Sequence, residues 1–289
     1  MIRVISFFLF FTCHILGLTH IAFAQTMTTH PLPATSGYAP VNGLRMYYEV
    51  YGTGSMPLVL IHGGGSTIAS NFGTVLPFFV KYGKVIAVEL QAHGRTGDRD
   101  APESFPQDAD DVAALLRYLH IEKANFLGFS NGGSTALQIA IRHPALVHKI
   151  ISASGAVRRE GFIPGFFEGM PKATLKDMPA PLHTAFLDVN PDTAKLQVMF
   201  DRDKQRMVHF QDWPDESLRS INAPTLILAA DHDVITVAHS LFMSQVIPRA
   251  QLAILPGMHG TYLGEICTVK QGSKLPEMTV NLVEEFLKE

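Results

Sequence analysis

Cysteine is almost absent from this chain, which has two cysteines, Cys13 and Cys267, among its 289 residues. Two cysteines allow one disulfide at most, so a small fold held together by a disulfide framework is excluded. Charged residues are also few, at 17%, whereas hydrophobic residues make up 47% of the chain. This composition argues against a disordered protein and predicts a globular one with a sizeable core.

Clusters of basic residues are missing as well. The 23 Lys and Arg residues are scattered, 26 Asp and Glu residues outnumber them, and the formal net charge is −3. A nucleic-acid-binding surface concentrates positive charge on one face, so no nucleic-acid partner is expected. The zinc motif H-E-x-x-H is absent, and the dinucleotide-binding pattern G-x-G-x-x-G is not matched. The sequence therefore implies neither a metal nor a cofactor.

No apolar run is long enough to span a bilayer comfortably, since a spanning helix needs about 20 residues. The nearest candidate is residues 4–11, which follow Arg3 and are soon interrupted by polar residues. The segment leads to Ala22-Phe23-Ala24, a small-x-small signature of signal-peptide cleavage. We interpret residues 1–24 as a signal peptide, with a retained membrane anchor as the alternative. Cleavage would leave residues 25–289 as a periplasmic or secreted protein without stable membrane association.

Beyond the N-terminus, strand-like and helix-like segments alternate. The predicted strands are 38–41, 45–51, 58–61, 85–88, 125–129, 150–151, 225–229 and 252–255, and the predicted helices are 108–119, 134–141 and 276–287. The first two strands flank Asn42-Gly43, the strongest short-range hairpin signal. Short apolar strands between helices predict a mainly parallel sheet covered on both faces, with the hairpin as an antiparallel edge.

Residues 157–220 break this alternation. The segment contains six prolines among many Phe and Met residues, and it would be an uncommonly long loop if it had no structure. We therefore predict a small helical cap over the sheet. Ligand sites are mostly apolar, so roughly a third to a half of the large apolar cap residues are expected to line a pocket. The candidates are Phe162, Phe166, Phe167, Met170, Phe186, Met199, Phe200, Met207, Phe210 and Trp213.

Ser130 lies where a predicted strand meets a predicted helix, in the sequence Gly128-Phe129-Ser130-Asn131-Gly132. A nucleophile there needs a tight, strained turn that lifts its hydroxyl clear of both elements, and small neighbours allow that turn. The start of the helix also presents unpaired N–H groups to a developing oxyanion. The alternative is an ordinary Gly-rich turn, because the same string arises by chance.

A second glycine-rich loop, His62-Gly63-Gly64-Gly65, follows an upstream strand. Glycines let backbone N–H groups approach a reacting carbonyl, and we predict that the N–H groups of Gly64 and Asn131 form an oxyanion hole. His62 is expected to pin the loop rather than to take part in catalysis. A flexible loop and a phosphate-binding turn are the alternatives.

A serine nucleophile needs a general base, and the base needs an acid to orient it. Two downstream strands end in suitable residues, one in Ala230-Asp231-His232-Asp233 and the other in a glycine-flanked His259. The carboxyl ends of parallel strands share one edge of the sheet, where open α/β sheets place their sites. We assign Ser130 as nucleophile, His259 as general base and acid, and Asp233 as the orienting acid, with Asp231 as the other available carboxylate.

With these residues identified, the sequence resembles the α/β-hydrolase family from the first hairpin to the last helix. His62-Gly63-Gly64, Gly128-x-Ser130-x-Gly132, Asp233 and His259 match family motifs, and Ser, Asp, His is the expected chain order. By the resemblance, the acid is the fourth residue of a Gly-x-x-Asp stretch, which points to Asp233 with Ala230 in place of Gly.

Two segments depart from the family pattern. Residues 87–95 resemble its Asp-x-Arg-Gly-x-Gly turn but differ at Glu89, Gln91 and Ala92. That turn is usually structural, so the difference is expected to leave catalysis intact. Residues 266–274, after His259, look like an insertion before the last helix.

The reaction implied by the resemblance is acyl transfer to water through an acyl-enzyme on Ser130. The expected substrate is a small carboxylic ester or lactone with an apolar acyl or alcohol group. Haloalkane dehalogenases and epoxide hydrolases are disfavoured, because they need Asp at the position of Ser130. An aminopeptidase, a carbon–carbon bond hydrolase, a cofactor-free perhydrolase and a catalytically silent ligand-binding protein remain alternatives, since function resides in the pocket.

The N-terminal interpretation predicts that the exported protein begins at Gln25, because cleavage follows Ala22-Phe23-Ala24. Intact-mass spectrometry of protein recovered from the periplasm or the culture medium measures this start. A chain that keeps Met1 and fractionates with membranes would show that the segment is an anchor.

Overall fold

One eight-stranded sheet organises the part of the chain that the structure, a computed structural model, describes, residues 31–289. Its strands are β1 (Thr35–Val41), β2 (Leu44–Tyr51), β3 (Leu58–Ile61), β4 (Val85–Val88), β5 (Ala124–Phe129), β6 (Val147–Ala153), β7 (Thr225–His232) and β8 (Ala250–Met258). They lie in the order β1-β2-β4-β3-β5-β6-β7-β8. β2 pairs antiparallel with β1 and with β4, and the remaining neighbours pair parallel. The predicted mainly parallel sheet with an antiparallel N-terminal hairpin is confirmed.

Helices cover both faces of this sheet. They are α1 (Ile68–Phe72), α2 (Leu76–Tyr82), α3 (Phe105–Tyr118), α4 (Asn131–Arg142), α5 (Phe166–Gly169), α6 (Ala180–Val189), α7 (Thr193–Val208), α8 (Asp215–Arg219), α9 (Val237–Val246) and α10 (Leu275–Lys288). Apolar residues of α3, α4 and α9 join one core cluster, and those of α1, α2 and α10 join the other. Within β3, Val59 and Ile61 belong to the first cluster and Leu58 and Leu60 to the second, as the alternation of side chains along a strand requires.

The predicted signal peptide, residues 1–24, lies outside the described residues. In the part that is described, no helix has the length and apolar character needed to cross a membrane.

Several elements extend beyond their predicted bounds because of contacts that are distant in sequence. β7 continues past residue 229, since Ala230 and His232 pair with Leu255 and Met258 of β8. α4 begins at Asn131 rather than at residue 134. Glycines at the start of α4 have a low helix propensity, but close packing against neighbouring strands leaves no room for larger residues there. The short helices α1, α2 and α9 are not evident from the sequence pattern.

The first hairpin turns at Asn42 and Gly43, as predicted. Their φ angles are 45° and 84°, and Val41 pairs with Leu44 on either side of them. Positive φ at both central residues is what a two-residue type I′ turn requires.

The segment between β6 and β7 forms a helical cap that contains α5, α6 and α7, whereas α8 places Leu218 in the core of the body. The cap leaves and rejoins the body at one point, where the Trp213 N–H donates to the Val157 carbonyl oxygen at 2.9 Å. Phe186 and Met199 are fully buried and pack against Ala92 of the body. These contacts seat the cap on the edge of the sheet.

The chain leaves β3 and β5 in opposite directions, although these strands are neighbours. α1 and α2 carry it from β3 to β4 on one side, and α4 carries it from β5 to β6 on the other. A crevice opens at the carboxyl ends of two strands that diverge in this way, and it is the usual binding site of open α/β sheets. Residues 62–65 follow β3 at this crevice, and Ser130 follows β5.

The first turn of α4 passes very close to the end of β3. A Cβ atom on Gly132 would overlap the carbonyl oxygen of Ile61 and lie 2.5 Å from that of His62. A Cβ atom on Gly128 would overlap the carbonyl group of Gly132. Because these neighbours are backbone atoms, only separation of the strand from the helix could relieve the overlap.

We expect Gly132→Ala to lower the free energy of unfolding by about 1–3 kcal/mol, because the added methyl group overpacks this contact. Gly169→Ala is the matched control, since a Cβ atom at Gly169 meets nothing within 4 Å and the residue ends a helix. Urea unfolding followed by circular dichroism measures both. Equal midpoints for Gly132→Ala and the wild type would contradict the close approach.

Candidate active site

Ser130 directly follows β5 and precedes α4. Its backbone has φ 54° and ψ −119°, a sparsely populated combination that costs on the order of 1–3 kcal/mol for a residue with a side chain. The Ser130 N–H donates to the Ala153 carbonyl oxygen of β6 at 2.8 Å, which fixes the turn to the neighbouring strand. The geometry is that of the strained strand-to-helix turn in which a nucleophilic serine is displayed.

The loop after β3 is fixed on both sides of Gly64. The Gly63 N–H donates to Asn71 Oδ1 at 2.7 Å, and the Gly65 N–H donates to Asp203 Oδ2 at 2.6 Å. The loop therefore has a defined shape, which a merely flexible glycine-rich segment would lack.

Two N–H groups beside Ser130 stay available. Among residues 31–289, no hydrogen-bond acceptor faces the N–H of Gly64 or that of Asn131. A Cβ atom on Gly63 would lie 3.1 Å from the Cβ atom of Ser130, so the loop lies against the serine. This pair of N–H groups has the character of an oxyanion hole, which needs donors that are not used elsewhere.

His62 anchors the loop after β3 through both of its ring nitrogens. Its side chain is fully buried, and its Nε2 accepts from the Leu90 N–H at 3.0 Å while its Nδ1 lies 2.7 Å from the Gly63 carbonyl oxygen. The ring therefore donates from Nδ1, which is the neutral tautomer. Burial, together with the nearby His93, lowers the pKa of His62 to about 3, so it stays neutral. A buried neutral ring in this place anchors the backbone.

His259 and Asp233 meet after β8 and β7. His259 Nδ1 lies 2.6 Å from Asp233 Oδ1, and the Asp233 side chain is fully buried whereas that of His259 is 26% exposed. The His259 ring lies 4.6 Å from the ring of Phe129, the residue before Ser130. Because Nδ1 is occupied by the carboxylate, Nε2 is the ring nitrogen left to accept a proton.

The second oxygen of Asp233 has its own partner. Asp233 Oδ2 accepts from Ser154 Oγ at 2.5 Å, and Ser154 Oγ lies 2.7 Å from the hydroxyl of Tyr262. Burial would raise the pKa of Asp233, but hydrogen bonds from His259, Ser154 and the Ile235 N–H outweigh it and hold that pKa below its ordinary value. Burial raises the pKa of Tyr262 well above the usual range. The protons therefore point from Tyr262 to Ser154 and from Ser154 to Asp233.

Asp231 lies apart from this network. It is exposed, and its Oδ1 accepts from the Gly257 N–H at 2.7 Å and lies 2.9 Å from His232 Nδ1. Ala230 is not among the described non-glycine residues with positive φ, so Ala at this position brings no backbone strain. Of the two candidate carboxylates, Asp233 is the one that contacts His259.

The turn at residues 87–95 departs from the family sequence but is built as a structural turn. The side chain of Glu89 is fully buried and accepts from Arg95 twice, from the backbone N–H at 2.7 Å and from Nη1 at 2.8 Å. Glu89 thus holds both ends of the turn together.

Residues 266–274 brace the His259 loop. Thr268 Oγ1 donates to the His259 carbonyl oxygen at 3.1 Å, and the Ile266 N–H donates to the Ser70 carbonyl oxygen of α1 at 3.0 Å. The segment that follows His259 therefore ties its loop to the opposite side of the crevice.

The cap aromatics fall into groups with different surroundings. Phe186 and Met199 are fully buried inside the cap, whereas Phe210 and Trp213 border a groove of about 900 Å³ that runs along α7. Phe162, Phe166, Phe167 and Met170 form a partly exposed cluster that packs against the buried Phe210. Phe162 bridges to Ile235, two residues after Asp233. Phe162 thereby links this cluster to the loop that carries Asp233.

Sequence reasoning missed Ser154, Tyr262, His93 and Asp203. Ser154 had a usable signal, because it follows β6 at the same sheet edge as Ser130 and Asp233. Asp203 had none, since it lies within α7 and reaches the site only through the way the cap is seated.

Comparison with known proteins agrees with this architecture. A family model described as "alpha/beta hydrolase fold" matches residues 56–187. The human protein named serine hydrolase BPHL is 32% identical over 136 residues, 46% of this chain and 47% of its own, so the match spans about half the length of that relative. The 2-hydroxymuconate semialdehyde hydrolase of Pseudomonas sp. (strain CF600) is 28% identical over 239 residues, 73% of this chain and 82% of its own.

The fold of a solved structure is also similar. The enol-lactonase from Burkholderia xenovorans LB400 superposes with a TM-score of 0.68 at 21% identity, covering 87% of this chain and 100% of that one.

We expect proton NMR to show a resonance far downfield of the amides for the His259 Nδ1 proton, because its bond to a carboxylate is short and charge-assisted. Asp233→Asn should abolish that resonance, and Asp231→Asn, the matched control on the exposed neighbour, should leave it. Its survival in Asp233→Asn, or its loss in Asp231→Asn, would reassign the acid.

Proposed function

We propose that this chain, which has the α/β-hydrolase fold, is a serine hydrolase that cleaves a carboxylic ester or a lactone through an acyl-enzyme on Ser130. The observation that carries this proposal is the position of Ser130 in a strained turn, with the His259–Asp233 pair and two unpaired N–H groups at the same sheet edge. Each group needed for acyl transfer is present there.

In the first half of the reaction, Ser130 Oγ attacks the carbonyl carbon while His259 Nε2 takes the hydroxyl proton. The negative charge that forms on the carbonyl oxygen is stabilised by the N–H groups of Gly64 and Asn131. Asp233 stabilises the imidazolium through Nδ1 and remains ionised. His259 then gives its proton to the leaving alcohol oxygen as the carbon–oxygen bond breaks.

In the second half, water replaces the alcohol. His259 takes a proton from water, the resulting hydroxide adds to the acyl carbon, and the tetrahedral intermediate collapses with return of the proton to Ser130 Oγ. The products are the carboxylic acid and the free enzyme. With a lactone substrate, acid and alcohol belong to one molecule, and no separate leaving group departs.

The partly exposed aromatic cluster favours a substrate with an apolar acyl or alcohol group. Its member Phe162 bridges to Ile235 in the loop of Asp233, and small-molecule sites are typically lined by apolar side chains. The export of the protein to the periplasm or the medium stays a prediction from residues 1–24.

A carbon–carbon bond hydrolase is the second candidate. It is favoured by the likeness to a protein named 2-hydroxymuconate semialdehyde hydrolase, which covers 82% of that relative. The same nucleophile and base would serve, so a screen of p-nitrophenyl esters, lactones and 2-hydroxymuconate semialdehyde under identical conditions separates the candidates.

We expect Ser130→Ala to lower ester hydrolysis by at least about a thousandfold, because the triad acts as a unit and leaves only binding and oxyanion effects behind. A fluorophosphonate probe should label the wild type at Ser130, as read by peptide mass spectrometry. Asp233→Asn should cost about a hundredfold to ten-thousandfold.

The matched control is Ser134→Ala in the same helix, whose hydroxyl bonds to the Ala156 carbonyl oxygen. It should keep its labelling at equal folded fraction. Wild-type turnover by purified Ser130→Ala would overturn the proposed mechanism, and a folded protein that is never labelled would favour a silent ligand-binding member.

A further inference from the structure

We propose that Asp203 of the cap is a positioning residue that sets the geometry of the oxyanion hole. The proposal rests on the serine hydrolase function proposed above. It makes the cap part of the reaction machinery, whereas a cap that only shapes the pocket would leave the backbone donors untouched.

Asp203 projects from α7 and contacts three groups of the body. Its Oδ2 accepts from the Gly65 N–H at 2.6 Å and lies 2.9 Å from His93 Nε2, and its Oδ1 accepts from Asn131 Nδ2 at 3.3 Å. The side chain is only 15% exposed. The carboxylate therefore has a defined set of partners rather than solvent around it.

These partners flank the two N–H groups that face the reacting carbonyl. Gly65 follows Gly64 in the loop, and Asn131 supplies the second donor from its own backbone. A Cβ atom on Gly64 would lie 3.1 Å from Asp203 Oδ2 and 2.7 Å from Asn131 Nδ2. One carboxylate thus contacts both chain segments of the oxyanion hole, and it fixes their separation.

A carboxylate in this position needs compensation, because its charge would oppose the negative charge that develops on the substrate. His93 supplies it. The ring is 1% exposed, and its two nitrogens lie 2.8 Å from the Gln91 carbonyl oxygen and 2.9 Å from Asp203. Since both nitrogens face oxygen acceptors, both donate, which makes the ring cationic.

The ionisation of His93 agrees with this geometry. Burial by itself would lower the pKa of His93, but the adjacent Asp203 carboxylate outweighs it and raises that pKa to about 9. The Gly65 N–H lies closer to Asp203 Oδ2, at 2.6 Å, than to His93 Nε2, at 3.2 Å, so Asp203 is its main acceptor. Asp203 can therefore orient the loop through a strong charge-assisted bond while the pair stays close to neutral.

The test compares Asp203→Asn and Asp203→Ala with Asp201→Asn. Asp201 lies on the same helix, is exposed and accepts from Gln197, so its variant controls for the loss of a negative charge on α7. We expect kcat for p-nitrophenyl butyrate to fall about 10- to 100-fold in both Asp203 variants, because a small misplacement of donors is costly. KM should change less than about threefold, since substrate binding does not depend on these donors.

A second measurement reads the loop itself. Hydrogen exchange by mass spectrometry should be faster in peptides that contain residues 62–66 for Asp203→Asn, and unchanged there for Asp201→Asn. Unchanged exchange in Asp203→Asn, or a wild-type kcat at equal folded fraction, would overturn the positioning role. If the proposed serine hydrolase function is wrong, ester hydrolysis will survive Ser130→Ala. Hydrogen exchange in residues 62–66 then still shows whether Asp203 holds that loop in place.

Discussion

The contact between the first turn of α4 and the carboxyl end of β3 is the constraint on which the rest of the site depends. It brings the backbone of Gly132 against the carbonyl groups of Ile61 and His62. Two segments far apart in sequence thereby place an N–H group each beside the same serine. The contact allows no Cβ atom on the helix side, which explains why glycine follows Asn131. It also forces Ser130 into its strained backbone conformation, because the chain must turn within one residue from strand to helix.

Most of the fold could be read from the sequence, because its elements are marked by local patterns. Continuously apolar strands and the Asn42-Gly43 turn carry their own signals. The ends of the elements were less predictable. β7 extends to His232 because it pairs with β8 there, and pairing between distant strands leaves no signal in the local sequence. α4 starts three residues early for a similar reason, since tertiary packing overrides the weak helix propensity of glycine.

Some residues of the site could likewise be predicted from the local sequence, whereas others depend on contacts that are distant in sequence. Ser130, His259 and Asp233 follow strand ends, and the order of the sheet brings strand ends to one edge. The choice between Asp231 and Asp233 is indicated by the resemblance, and in the structure Asp231 is exposed at the end of β7 whereas Asp233, in the loop beyond, reaches His259. Ser154 and Tyr262 act only through Asp233, so neither has a motif of its own. His93 and Asp203 are 110 residues apart and bond to each other, a relation that depends on how the cap folds back onto the body.

The hydrogen bond between Trp213 and Val157 has a consequence for how such a protein changes over evolution. The chain leaves the body at Val157 and returns to it at Trp213, and these two residues are hydrogen-bonded to each other. The residues between them therefore form one closed loop with respect to the body. The entropic cost of closing a flexible loop rises by only about 0.6 kcal/mol for each doubling of its length. A change in the length of this segment would therefore cost little closure entropy, and the cost of exchanging it lies in the lost contacts with the body, such as those of Phe186 and Met199 with Ala92. A new substrate preference can arise by replacement of the cap alone, provided that the new cap supplies a carboxylate that accepts from the Gly65 N–H, as Asp203 does.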